Sequence, residues 1–80
     1  MKTNIEVIIE ALTKLGGSAK YADIYKEFDK IKGSVSSYGV RAGIRKVIEN
    51  NSSDSEAFNG RDLFYSVEGI GKGVWGLRKS

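Results

Sequence analysis

Four cations, Lys32, Arg41, Arg45 and Lys46, stand in the stretch from Lys32 to Ile48 without one Asp or Glu among them. Guanidinium groups can fork onto a phosphate or onto the O6 and N7 of guanine, and an ammonium offers a point charge, so their natural counterpart is a polyanion. Spacing gives the cluster a frame. At a 3.6-residue period Tyr38, Arg41 and Arg45 gather on one side, Val40, Ile44, Val47 and Ile48 fall on another, and Arg45 lies opposite Val47. The hydroxyl of Ser36 or Ser37 can accept from the first free backbone N–H groups, which predicts a helix over about 36–50. A second source of positive charge is Lys72, between Gly71 and Gly73, with Arg78 a few residues on. The plainer reading is an amphipathic helix with a solvated basic side.

The elements that would carry these residues can be read in order. Thr3-Asn4-Ile5-Glu6 has the form of a capping box, and Ile5, Ile8, Ile9, Leu12 and Leu15 follow at helical spacing, which predicts a first helix over about 4–15. Gly16-Gly17 stops it, and Ser18-Ala19-Lys20 is long enough only for a bridge or a brief edge strand. Ile24, Tyr25, Phe28 and Ile31 repeat at helical intervals and predict a second helix over about 21–31. Gly33-Ser34-Val35 then turns the chain tightly into the basic helix, as in a helix-turn-helix. Gly39 and Gly43 inside that helix cost about 1 kcal/mol each relative to Ala and share a face. Close packing of the second helix is the favoured explanation, over backbone approach to a ligand.

Asn50 to Asp62 is rich in Asn, Ser and Asp and reads as a loop whose hydroxyls and carboxylates serve their own backbone. Segments 63–68 and 74–78 are strand-like and flank a Gly-rich turn, which predicts a two-stranded hairpin with Trp75 and Leu77 covering the core. The expected architecture is thus α+β, a single domain over 1–80 in which three helices precede a two-stranded β wing.

Composition removes several functions. The chain has 80 residues, with no Cys and no His, which excludes disulfides, thiol nucleophiles, imidazole bases and the usual zinc ligands. Gly71 to Gly76 matches G-x-G-x-x-G literally but opens no helix and follows no βαβ unit, so dinucleotide binding is rejected. The carboxylates form no metal-nuclease pattern, and Asp54 and Glu56 fall on a loop expected to be floppy. No cofactor and no catalysis by this chain alone are expected. No membrane span or signal segment is recognisable, which points to a cytoplasmic protein. Net charge is +3, but its distribution is uneven: residues 32–48 carry +4, residues 49–62 carry −3 and residues 63–80 carry +2.

The run VRAGIRKVIENNSSDSEAFNGRDLFYSVEGIGKGVWGLR resembles the winged-helix modules attached to bacterial restriction-type endonucleases, some of which carry HNH nuclease domains. In those modules an IR-x-x-I-x-x-x-SSDS segment, here Ile44 to Ser55, precedes an aromatic strand and a closing G-x-W-x-L strand, here Gly73 to Leu77. A weaker similarity extends to winged modules of an RNA polymerase accessory subunit and of chromatin proteins. The resemblance implies a winged helix-turn-helix fold and recognition of a specific or modified DNA site within a restriction-type or regulatory system. A nuclease domain would then be a fused or associated partner.

The expected function is binding of double-stranded DNA, with the third helix in the major groove and the hairpin beside it. Arg41 and Arg45 would meet guanine edges or phosphates, with Lys46 adding charge on the same helix. Ser36, Ser37 and Tyr38 would lie near the groove entry, and Lys72 and Arg78 would hold phosphate. The alternative is a protein-interaction module that docks through the wing and the acidic 49–62 loop.

Overall fold

A computed structural model describes residues 3–69 and 71–78; Ile70 and the ends of the expected 1–80 domain lie outside the described residues. The chain folds as a small α+β domain with three helices and a three-stranded antiparallel sheet, in the order α1 (Asn4–Lys14), β1 (Ser18–Lys20), α2 (Tyr21–Lys32), α3 (Tyr38–Asn50), β2 (Phe64–Ser66) and β3 (Val74–Leu77).

The capping box at Thr3 forms: the Glu6 amide donates to the Thr3 hydroxyl and the Thr3 amide donates to the Glu6 carboxylate. Leu15 caps the end of α1, one residue earlier than the periodicity suggested, and the Gly17 amide returns to the Leu12 carbonyl at 2.8 Å. Gly33, with φ of 79°, closes α2 in the left-handed conformation. α3 starts at Tyr38 rather than Ser36, because Ser37 is the cap: its hydroxyl accepts from the Val40 amide.

The sheet corrects the expected two-stranded wing. Ser18–Lys20 forms a third strand, and its partner is the last strand of the chain: Ser18 faces Gly76, Ala19 faces Trp75 and Lys20 faces Val74, giving the order β1-β3-β2. Only Phe64–Ser66 and Val74–Leu77 of the expected 63–68 and 74–78 are strand. Gly76 explains how the centre of the sheet closes. A Cβ there would lie 2.7 Å from a Tyr65 ring carbon and 3.2 Å from the Gly17 carbonyl oxygen, so only glycine fits.

The core unites every layer: Val7, Ile8 and Leu12 from α1, Ile24 and Phe28 from α2, Ile44 and Ile48 from α3, and Phe64 and Trp75 from the sheet. Burying side chains of this size is the main stabilising contribution available to so short a chain. Val40, expected on this stripe, is 40% exposed, because the apolar seam of α3 is carried by Ile44 and Ile48 and only flanked by Val47.

The loop between α3 and β2 is not floppy. Asn51 zips it onto the helix end: its backbone carbonyl accepts from the Leu63 and Phe64 amides, its side-chain oxygen accepts from the Arg61 amide, and its side-chain nitrogen donates to the Val47 carbonyl. Ser52 is fully buried, and its hydroxyl accepts from the Asp54 amide. No helix among the described residues is long and apolar enough to cross a membrane.

Candidate nucleic-acid interface

The eight residues singled out from the sequence divide into three groups once folded. Lys46, Lys72 and Tyr38 are exposed, and Lys46 and Lys72 have no side-chain hydrogen bond or ion pair among the described residues. Lys72 rides on the β2–β3 turn, where Gly69, Gly71 and Gly73 all have positive φ and the Lys72 amide donates to the Gly69 carbonyl.

Arg41 and Arg45 form the second group, held in the crease between α3 and α2. Arg45 donates through Nη1 to the Tyr25 hydroxyl at 2.8 Å. That hydrogen bond is the largest of several influences that raise the guanidinium's pKa above its ordinary value. Arg41 stacks its guanidinium over the Tyr25 ring at 5.2 Å, donates from Nε to the Ser36 hydroxyl, and lies 3.8 Å from the Asp29 carboxylate. The expectation of unopposed cations therefore fails for Arg41. Asp29 lies outside the acid-free stretch in sequence, but the α2–α3 turn folds it back against α3. The same carboxylate accepts from the Ser36 amide, which fixes the turn.

Arg78, Ser36 and Ser37 make up the third group, whose polar atoms are already engaged in building the fold. Arg78 lies 3.0 Å from Asp62 and 3.3 Å from Asp54, donates to the Phe64 carbonyl, and covers the Tyr65 ring. Its contact to Asp54 runs through Nη2, which is buried and makes no aligned hydrogen bond, so the pair is an ion pair by charge rather than by direction. Asp62 in turn accepts from the Ser53 amide and hydroxyl, both at 2.9 Å. The Ser53 amide is the largest influence holding Asp62 below the ordinary carboxylate pKa, with Arg78 contributing after it. Arg78 thus clamps the loop to the sheet.

The residues that position the arginines were not recognised as site residues from the sequence. Tyr21 and Tyr25, four apart on α2, stack with ring centroids 5.9 Å apart, and Tyr21 continues the row to Trp75 at 6.2 Å. The Tyr21 hydroxyl donates to Glu49 at 2.9 Å; burial first, and then this bond, push its phenol far above the ordinary value, so it remains a donor. The i,i+4 tyrosines were the available signal, but a helical aromatic pair reads first as core.

Gly39 and Gly43 also depart from expectation. A Cβ on Gly39 would meet only the Ser37 hydroxyl at 3.9 Å, and one on Gly43 would meet nothing within 4 Å. α2 does not pack on that face. With Lys46, the two glycines line a strip of α3 that is low in side-chain bulk, bordered by Tyr38 and Arg45. At the Glu49 end of α3 the turn glycines Gly71 and Gly73, with Tyr21, Ser55 and Trp75, enclose a hollow of about 410 Å³. The β2–β3 turn therefore sits at one end of α3 and Tyr38 at the other. Comparison of the chain with protein-family models, with curated proteins and with solved structures finds no match.

Proposed function

We propose that this chain is a double-stranded DNA-binding module of the winged helix-turn-helix kind, with α3 as the recognition helix and the β2–β3 turn as the wing. The order helix, strand, helix, helix, strand, strand, with the first strand on the free edge of the last, supports the winged reading. The observation that carries the DNA reading is the uncovered, low-relief face of α3 at Gly39 and Gly43, beside Lys46. A helix that must lie deep in a major groove gains from missing side chains there, and glycines that nothing in the protein fills are otherwise a cost to the helix.

Each charged group then takes a role. Lys46 and Lys72 neutralise phosphates at two separated points, which positions the helix. Arg45, held by Tyr25 at the border of the groove-facing strip, presents its remaining N–H groups to a base edge or phosphate. Arg41 is committed to α2 and aligns the two helices, and Arg78 supports the wing. Such a module would serve as the recognition part of a restriction-type or regulatory system in the cytoplasm, with cleavage supplied by a joined nuclease domain.

A double variant Gly39→Leu/Gly43→Leu tests the reading. Leu is the better helix former by roughly 0.8–1 kcal/mol per site, so the variant is expected to melt no lower than the parent while losing at least tenfold in duplex affinity. A folded variant with unchanged affinity would remove this face as the DNA site. A second reading, docking of a basic protein segment, is favoured by the hollow that Glu49, Asp54, Ser55 and Glu56 line beside the wing. Binding there would leave the glycine variant unaffected.

A further inference from the structure

Three of the exposed apolar side chains stand at the start of α3. Val35 is 84% exposed, Tyr38 is 83% exposed and Val40 is 40% exposed, all within the α2–α3 turn and the first turn of α3. Val35 and Val40 share an open hollow of about 230 Å³ with Phe28 and Lys32. Two valines left in water around one hollow call for an occupant.

The charges around the patch limit what that occupant is. Lys32 lines the hollow, with its ammonium over the Phe28 ring at 5.9 Å. Arg41 lies against Ser36, and the nearby carboxylate, Asp29, is turned onto Arg41 and the Ser36 amide rather than outward. Lys32 thus puts one cation at the rim of an apolar floor, which suits a surface that is anionic overall but carries apolar points. The major groove of duplex DNA is such a surface, and the one apolar group on its base edges is the 5-methyl of a pyrimidine.

We infer that Val35 and Val40 read pyrimidine 5-methyl groups in the major groove and set sequence preference at the end of the site contacted by the start of α3. The inference rests on the DNA-binding reading and adds to it a specificity element that charge alone does not provide. Lys46 and Lys72 fix the helix on phosphates, Arg45 borders the groove floor, and the valines remove methyls from water. Each methyl so buried is worth about fourfold in affinity.

The test uses a pool of duplexes selected for binding from a random library. The pool is re-amplified with thymine, with uracil in place of thymine, and with 5-methylcytosine in place of cytosine, and each version is titrated with the parent and with a Val35→Ser/Val40→Ser variant. Both valines are exposed, so the variant is expected to keep its melting temperature. The expected result is that the parent binds the uracil pool at least fourfold more weakly than the thymine pool, or the 5-methylcytosine pool at least fourfold more tightly. The first outcome assigns the methyl to thymine and the second to methylated cytosine. In either case the variant loses the discrimination while still binding duplex. Equal parent affinity for all three pools overturns methyl reading while leaving DNA binding in place. Discrimination that survives in the variant overturns its assignment to these valines. Failure to recover any binding pool removes the DNA reading and this inference together, and gives the patch to a protein partner.

Discussion

Arg41, Arg45 and Arg78 look alike in sequence but have separate partners in the folded chain. Arg78 touches two carboxylates and a backbone carbonyl, so Arg78→Gln is expected to cost stability first, about 1–2 kcal/mol, through the charge-assisted bonds it removes. Urea unfolding at neutral pH measures this. Asp62, held below the ordinary carboxylate pKa chiefly by the Ser53 amide, adds a pH signature. A depressed folded-state pKa contributes stability that is fully present above the unfolded value and is lost as pH falls through the folded one. Unfolding curves should therefore show a loss below about pH 4 that Asp62→Asn reduces. Arg45→Ala is expected to weaken duplex binding by about 1–3 kcal/mol with relaxed preference at one position if it meets a base edge, or uniformly across sequences if it meets phosphate. Tyr25→Phe keeps the stacked ring but removes the acceptor that holds Arg45. It should weaken binding less than Arg45→Ala and leave stability nearly unchanged, as titrations alongside thermal melts would show.

At the scale of elements, the helices were legible because their evidence is local. Ile5 to Leu12 and Ile24 to Ile31 repeat at a helical period, and Thr3, Gly33 and Ser37 mark ends with a recognisable cap chemistry. A brief edge strand at Ser18–Lys20 was legible as one of two options, but its place in the sheet was not, because its partner Val74–Gly76 lies across most of the chain length. The same limit explains Arg41: its carboxylate partner is hidden from a linear charge count and appears only when α2 folds back. Gly39 and Gly43 were misread in the opposite sense, since periodicity shows that two positions share a face but not what covers it. Two substitutions separate these kinds of glycine. Gly43→Ala fills open space and is expected to stabilise the domain by up to about 1 kcal/mol, whereas Gly76→Ala drives a Cβ into Tyr65 and the Gly17 carbonyl and is expected to destabilise the sheet clearly. Thermal or urea unfolding of the pair distinguishes them by sign.

For the whole molecule, one buried aromatic ties the layers together. Trp75 sits on the central strand within a cluster to which α1 and α3 both contribute, as the sequence suggested. Its replacement by Ala is expected to cost about 3–5 kcal/mol, a large part of a small domain's stability. Charge is distributed on the same scale. Two carboxylates of the 49–62 segment, Asp54 and Asp62, are exposed but already paired, since they serve Arg78 and the loop backbone. The exposed cations Lys46 and Lys72 stand apart on α3 and the β2–β3 turn. If both touch phosphate in one complex, each releases counterions on binding. The deciding measurement is the affinity of parent and folded Lys46→Ala/Lys72→Ala variant for random-sequence duplex between about 50 and 200 mM salt. Log affinity should fall with log salt for the parent, and the variant should bind more weakly with a slope shallower by roughly two units. Absence of parent binding at low salt, or identical slopes for the two proteins, would contradict DNA binding through α3 and the wing.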